Sequence, residues 1–217
     1  MICTPEAAGM RRNKWKMMGD DSMIIGITGG VGAGKSQVLS ILKEEYHASV
    51  LVADEIGHLL MEPEQVCYMR IVEEFGESIL REDKTIDRAK LSALVFDSKE
   101  RLEKLNRIIH PAVKECIRAQ IADIYAREQG KLIVIEAALL IEDNYDEICD
   151  EIWYIYADEA TRRKRLRESR GYSDEKIDSI MKNQLSEAEF RKYCKKTIDN
   201  SKSLAKTREE LKKALEF

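Results

Sequence analysis

A chain of 217 residues is long enough for one α/β domain, with room for an inserted subdomain and a sizeable buried core. Charged residues make up 35% and aromatics only 6%, which suits helices with solvated faces, and a net charge of −4 gives no support for a general nucleic-acid or membrane surface. No apolar run approaches the length that crosses a bilayer, and five scattered cysteines without a C-x-x-C pair read as reduced thiols of a cytoplasmic protein. His47, His58 and His110 lack the spacing of metal ligands.

Residues 1–22 are polar and mixed, with a basic patch at Arg11, Arg12, Lys14 and Lys16 and no apolar stretch of a secretory signal. The acids Glu6, Asp20 and Asp21 weigh against a transit peptide. The segment reads as a disordered tail or an upstream start ahead of Met23, and residues 23–217 as the folded domain.

Met23 to Thr28 is a short apolar run with strand character. It leads into Gly29–Ser36, G-G-V-G-A-G-K-S, a complete Walker A loop, and the residues from Gln37 onward have helical periodicity. Strand, glycine loop and helix in this order make a phosphate site. The glycines let N–H groups converge on an anion, and the helix points its positive dipole end at it. Lys35 is then expected to reach the β- and γ-phosphates of a nucleoside triphosphate, and the Ser36 hydroxyl to ligate Mg²⁺.

A second strand is expected over Ala48–Ala53, ending at Asp54. A carboxylate at a strand end of such a sheet faces the nucleotide crevice and can accept an acceptor hydroxyl's proton or bind a water of the Mg²⁺ shell. It can equally cap a helix beginning at Glu55. Nearly eighty residues without a strong strand follow. Helical spacing appears in Glu64–Phe75, Asp87–Phe96 and Lys99–Gln129, with Pro111 expected to end or kink the last. Such an insertion is a natural seat for a second substrate. Lys131–Glu136 is the most hydrophobic strand, and Glu136 at its end resembles a Walker B acid supporting magnesium, or else a charge at a helix start. Glu151–Ala157 and the weaker Lys196–Asp199 complete five strands alternating with helices. The alternation implies an α/β fold: a five-stranded parallel sheet that carries the P-loop, with helices on both faces and a helical insertion, and the basic run after the fourth strand adds a lid.

The lid is expected over about 161–190. Thr161–Arg170 is the only dense basic run; on a helix Arg163, Arg167 and Arg170 share a narrow arc while Arg162 and Arg165 share another face. Arginine forks match phosphate oxygens, so one or two of these are expected to act in phosphoryl transfer. Gly171-Tyr172-Ser173 then supplies a break and a cap, as a hinge requires.

Together these pieces resemble dephospho-coenzyme A kinases. The resemblance runs from about Met23 to the C-terminus and rests on Ile25–Ser36, Val52–Gly57 (V-A-D-E-I-G), His110-Pro111 and Leu139–Glu142, with weaker matches at Arg165-Leu166, Gln184 and Ile198–Asn200. It implies ATP-dependent phosphorylation of the 3′-hydroxyl of dephospho-CoA, with ATP and Mg²⁺ as the requirements, dephospho-CoA as the small-molecule partner, and neither nucleic acid nor membrane. By matching positions, Gly32, Ala33, Gly34, Lys35, Ser36 and Gln37 would hold the ATP phosphates and Asp54 would be the base. Arg165 would be a lid phosphate contact, Asn200 would lie near the adenine, and His110 would belong to the acceptor site. The core would span 23–60 and 131–217, and the CoA-binding subdomain about 61–130. The chain departs from the family at Gln37, where Thr is usual, at Val52, where an acid is frequent, and in a lid spacing longer by one residue between Arg165 and Arg170. Two alternatives remain: a nucleoside monophosphate kinase-like enzyme, and a catalytically idle ATP-binding homologue, against which both Asp54 and Glu136 speak. A GTPase would need an Asn-Lys-x-Asp motif, which the sequence lacks.

Overall fold

The structure is a computed structural model and describes residues 22–127 and 131–216. The expected tail lies outside these residues except for Ser22, which is buried and whose hydroxyl accepts a hydrogen bond from Lys131 N (3.0 Å). The described residues fall into two compact units, one made of Val52–Asp123 and the other of the segments on either side.

In the second unit the strands are β1 (Met23–Thr28), β2 (Ser49–Val52, whose last residue joins the other unit), β3 (Leu132–Glu136), β4 (Glu151–Tyr156) and β5 (Lys196–Asp199). All five expected strands form, as a parallel sheet in the order β2-β3-β1-β4-β5. Ile25 of β1 registers with Val134 of β3 and with Glu151 of β4, and Trp153 with Lys196 of β5. The strands read as continuous apolar runs because both faces are covered. Ile25, Ile27, Val134, Trp153 and Ile155 pack with Val38, Ile41 and Leu42 of α1 (Lys35–Glu45) and with Leu211 at the C-terminal end of the chain. On the other face, Gly26 abuts Cys149 and Leu140, and the Tyr154 ring stacks on Phe190 with centroids 4.6 Å apart. Each fully buried isoleucine or leucine contributes roughly 1.5–3 kcal/mol, so the sandwiching of the sheet is the main source of its stability.

The Val52–Asp123 unit is helical: α2 (Ala53–Leu60), α3 (Tyr68–Phe75), α4 (Arg88–Phe96) and most of α5 (Lys99–Arg127). Gly57 of α2 faces the methyls of Ile109 and Val113 on α5, and Asp87 caps α4 by accepting from Ala89 N and Lys90 N. The helix expected from Glu64 starts at Tyr68, because Glu64 takes a positive φ of 70° within a run of turns. Pro111 does not end α5, and His110 before it is helical. A proline costs about 3 kcal/mol in a helix interior, whereas burying Ile108, Val113, Cys116, Ile117 and Ile121 outweighs that several-fold.

After β4 come α6 (Glu159–Arg170), α7 (Asp174–Lys182), α8 (Glu187–Tyr193) and, following β5, α9 (Leu204–Leu215). Asp158 caps α6, Gly171 closes it in the left-handed conformation (φ 61°), and Ser173 caps α7, as the Gly-Tyr-Ser break leads one to expect. Cys67, Cys149 and Cys194 are free thiols. Among the described residues no helix is long and apolar enough to cross a membrane.

Candidate active site

The carboxyl end of β1 runs into the glycine loop and α1, and this is where the expected phosphate residues meet. Ala33 N donates to Gly30 O (3.1 Å), while Gln37 N and Val38 N donate to Gly34 O (3.1 and 3.3 Å). These internal bonds occupy the Ala33 and Gln37 donors. The first turn of a helix has N–H groups without helical acceptors, and Lys35 and Ser36 stand in the first turn of α1. Gly34 stands at the cap of α1 with φ 86°, and a Cβ there would collide with the Asn200 amide, so glycine is required on both counts.

Lys35 Nζ donates to Gly29 O at 2.9 Å and lies 3.5 Å from Glu136 Oε1. The two side chains are only 19% and 12% exposed, so the acid at the end of β3 is aimed at the loop lysine and shielded with it. No helix begins behind Glu136, since turns follow, which removes the reading of Glu136 as a helix-start charge. Ser36 is exposed in the first turn of α1. Among the described residues there is no cluster of three or more His, Cys, Asp or Glu that could cage a metal. Ser36 supplies a hydroxyl and Glu136 a carboxylate beside Lys35, and Mg²⁺ needs only one or two protein oxygens together with substrate phosphates and waters.

The basic run on α6 divides as its helical spacing predicts. Arg163 is bound to Glu159 and Asp178, and Arg167 to Asp174, so this face is tied up in ion pairs with α7. Arg170 lies over the Tyr172 ring. The other face turns to the loop. Arg165 Nη1 donates to Ala33 O (3.1 Å) and Nη2 to Asn200 O (2.8 Å), and Arg162 Nε donates to Val31 O (2.9 Å). Burial lowers the pKa of Arg162.

Asn200 follows β5 and is buried, 1% exposed. Its Nδ2 donates to Ala33 O (2.8 Å) and its Oδ1 accepts from Thr207 Oγ1 of α9 (2.7 Å). The side chain is therefore turned inward as a strut behind the loop. Sequence reading missed Thr207 entirely and singled out neither Arg162 nor Gln184 as a loop contact. The shared face of Arg162 and Arg165 was the one available signal; Thr207 carries none, since its partner comes from across a strand turn.

Asp54 and His110 belong to the helical unit. Asp54 is exposed in the first turn of α2, and the helix begins at Ala53 with Val52 in the cap position, so Asp54 is not the cap of a helix starting at Glu55. His110 is half-buried in mid-α5.

The dephospho-CoA kinase family model matches residues 23–206. The dephospho-CoA kinase of Carboxydothermus hydrogenoformans is 38% identical over 188 residues, covering 87% of this chain and 90% of that protein. That of Dehalococcoides mccartyi is 37% identical over 178 residues, 82% and 88% of the two chains. Among solved structures, TT1252 from Thermus thermophilus superposes with a TM-score of 0.73 at 28% identity, covering 89% of this chain and 96% of that one. The dephospho-CoA kinase from Campylobacter jejuni gives 0.67 at 24% identity over 89% and 96%, a likeness of fold. With a match that spans the whole sheet and the helical insertion, the chain belongs to the dephospho-CoA kinase family.

Proposed function

We propose that this chain transfers the γ-phosphoryl group of ATP to the 3′-hydroxyl of dephospho-CoA, giving CoA and ADP, the final step of coenzyme A biosynthesis. The observation that carries the reading is the glycine loop whose lysine is met by the strand-end Glu136 at 3.5 Å, in a chain of this family. The N–H groups of Gly32, Gly34, Lys35 and Ser36 would cradle the phosphates, and Lys35 would neutralise charge on the β- and γ-oxygens. Mg²⁺ would be held by the Ser36 hydroxyl, with Glu136 accepting from its waters; the ion supplies charge neutralisation on the triphosphate.

Asp54 is the proposed base: an exposed carboxylate can take the hydroxyl proton as the ribose oxygen forms its bond to phosphorus and the bond to the ADP oxygen breaks. Arg165 is the proposed lid contact, since its guanidinium already lies beside Ala33 and Gly34. Arg162 is the other lid arginine on that face. For Asn200 the inward side chain favours a positioning part over a direct bond to adenine. The helical unit, with His110, is the proposed seat of dephospho-CoA, α6 and α7 the proposed lid, and the cytoplasm the proposed location.

Steady-state ADP release, measured with dephospho-CoA, AMP, CMP and dTMP as alternative acceptors, tests this. The proposal expects dephospho-CoA to be preferred by a wide margin; preferred turnover of a monophosphate would sink it.

A further inference from the structure

The tip of the glycine loop is held by groups that the phosphate chemistry does not use. Gln184, in the turn between α7 and α8, accepts with Oε1 from Val31 N (3.2 Å) and from Arg162 Nη2 (2.7 Å). Arg162 Nε in turn donates to Val31 O (2.9 Å). These three bonds close a ring on the two backbone polar groups of Val31, which belong to successive peptide units, and tie together the loop, α6 and the turn before α8. Arg162 also lies against Gly30, where a Cβ would collide with its guanidinium. Both partners of Oε1 are donors, so the amide oxygen, not the amide nitrogen, must face them.

We propose that Gln184 is a positioning residue for ATP: as a double acceptor it pins the N–H of Val31, while Arg162 holds the carbonyl of the same residue, so that the loop is already set to receive the triphosphate. The proposal rests on the reading of this loop as an ATP site. Val31 has glycine at 30 and at 32, so little in the loop's own sequence resists rotation of the two peptides that flank it. Its N–H is directed to Gln184, and its carbonyl to Arg162, which keeps the carbonyl dipole from turning toward the phosphates. Without Gln184 the tip would be ordered only when ATP binds, and ATP would bear the entropy of that ordering. Dephospho-CoA binding has no such dependence.

The test compares Gln184→Ala, Gln184→Met and Gln184→Glu in the full chain, using ATP titration calorimetry without acceptor, KM for each substrate, and kcat. Ala and Met remove the acceptor, and Met keeps the volume, so a fold defect in Ala leaves the Met–Glu pair to decide. Both should weaken ATP binding about tenfold, the factor that ordering roughly one backbone residue supplies, with the KM for dephospho-CoA unchanged. Gln184→Glu retains two acceptor oxygens, can ion-pair with Arg162, and should restore ATP affinity to near the native value. Native ATP affinity in the Met variant, or a Glu variant as weak as Met, would overturn the proposal. Failure of the wild-type chain to bind ATP at all would instead overturn the reading of the site, so the two failures are distinguishable.

Discussion

Replacing Asn200 asks whether the phosphate loop is supported from behind by a buried amide. Asn200→Ala deletes two short hydrogen bonds, Nδ2 to Ala33 O (2.8 Å) and Thr207 Oγ1 to Oδ1 (2.7 Å), and a marginal one from Nδ2 to Gly34 O (3.5 Å) that is left out of the sum. At about 1 kcal/mol net each the loss is roughly 2 kcal/mol. Residual partners keep it from growing: Ala33 O retains Arg165 Nη1 at 3.1 Å and Thr207 Oγ1 retains Ser203 O at 3.4 Å. For a chain of this size roughly 2 kcal/mol lowers Tm by about 4–8 °C. Asn200→Asp is nearly isosteric yet sets a carboxylate oxygen, an acceptor, against the Ala33 carbonyl, also an acceptor. It must hold a proton to keep the bond, so its pKa in the folded chain rises above the ordinary value of about 3.9. A folded state that binds the extra proton loses stability as pH climbs above that value. Thermal melts of the three proteins at about pH 5 and about pH 8 should therefore show the Asp variant closer to wild type in acid, and below the Ala variant in base. A Tm deficit for Asp that is the same at both pH values, or an Ala variant with wild-type Tm, would refute the strut.

Lys35→Ala should abolish turnover by removing charge stabilisation worth about 3–4 kcal/mol or more, with native circular dichroism as the check that the fold is kept. Asp54→Asn should lower kcat by roughly a hundredfold or more with ATP affinity spared, and a near-native kcat would remove Asp54 as the base. Glu151→Ala should cost roughly 1–3 kcal/mol, because the Trp153 indole N–H that Glu151 accepts is fully buried. Burial works to raise the Glu151 pKa, but hydrogen bonds from Lys195 and Trp153 outweigh it and hold it below the ordinary carboxylate value. A depressed carboxylate stabilises the fold above the unfolded pKa of about 4.3 and loses that contribution as pH falls through its folded value, so wild type should lose more Tm than Glu151→Gln on acidification below about pH 4.

The sheet was legible because β1, β3 and β4 are apolar runs buried along most of their length, while the edge strand Lys196–Asp199, with only Ile198 buried, was the weakest signal and still formed as expected. The loop was legible because its chemistry is local to eight consecutive residues. Of the two outcomes expected at Pro111, an end or a kink, the end does not occur, since a local rule is set against burial supplied by the rest of the helix. The α6 arginines were half legible: helical spacing separated Arg162 and Arg165 from Arg163 and Arg167, but only coordinates reveal that the first pair grips loop carbonyls and the second pair acids on α7. The Asn200–Thr207 bond joins residues seven apart across a turn, and no periodicity marks it.

Phosphorus NMR of the products from ATP and dephospho-CoA tests the central claim most directly. The account predicts loss of the ATP γ signal with growth of a phosphomonoester on the 3′-oxygen of the CoA ribose, dependent on Lys35. Appearance of inorganic phosphate alone, or of a phosphoanhydride on an added monophosphate while dephospho-CoA remains unchanged, would contradict it.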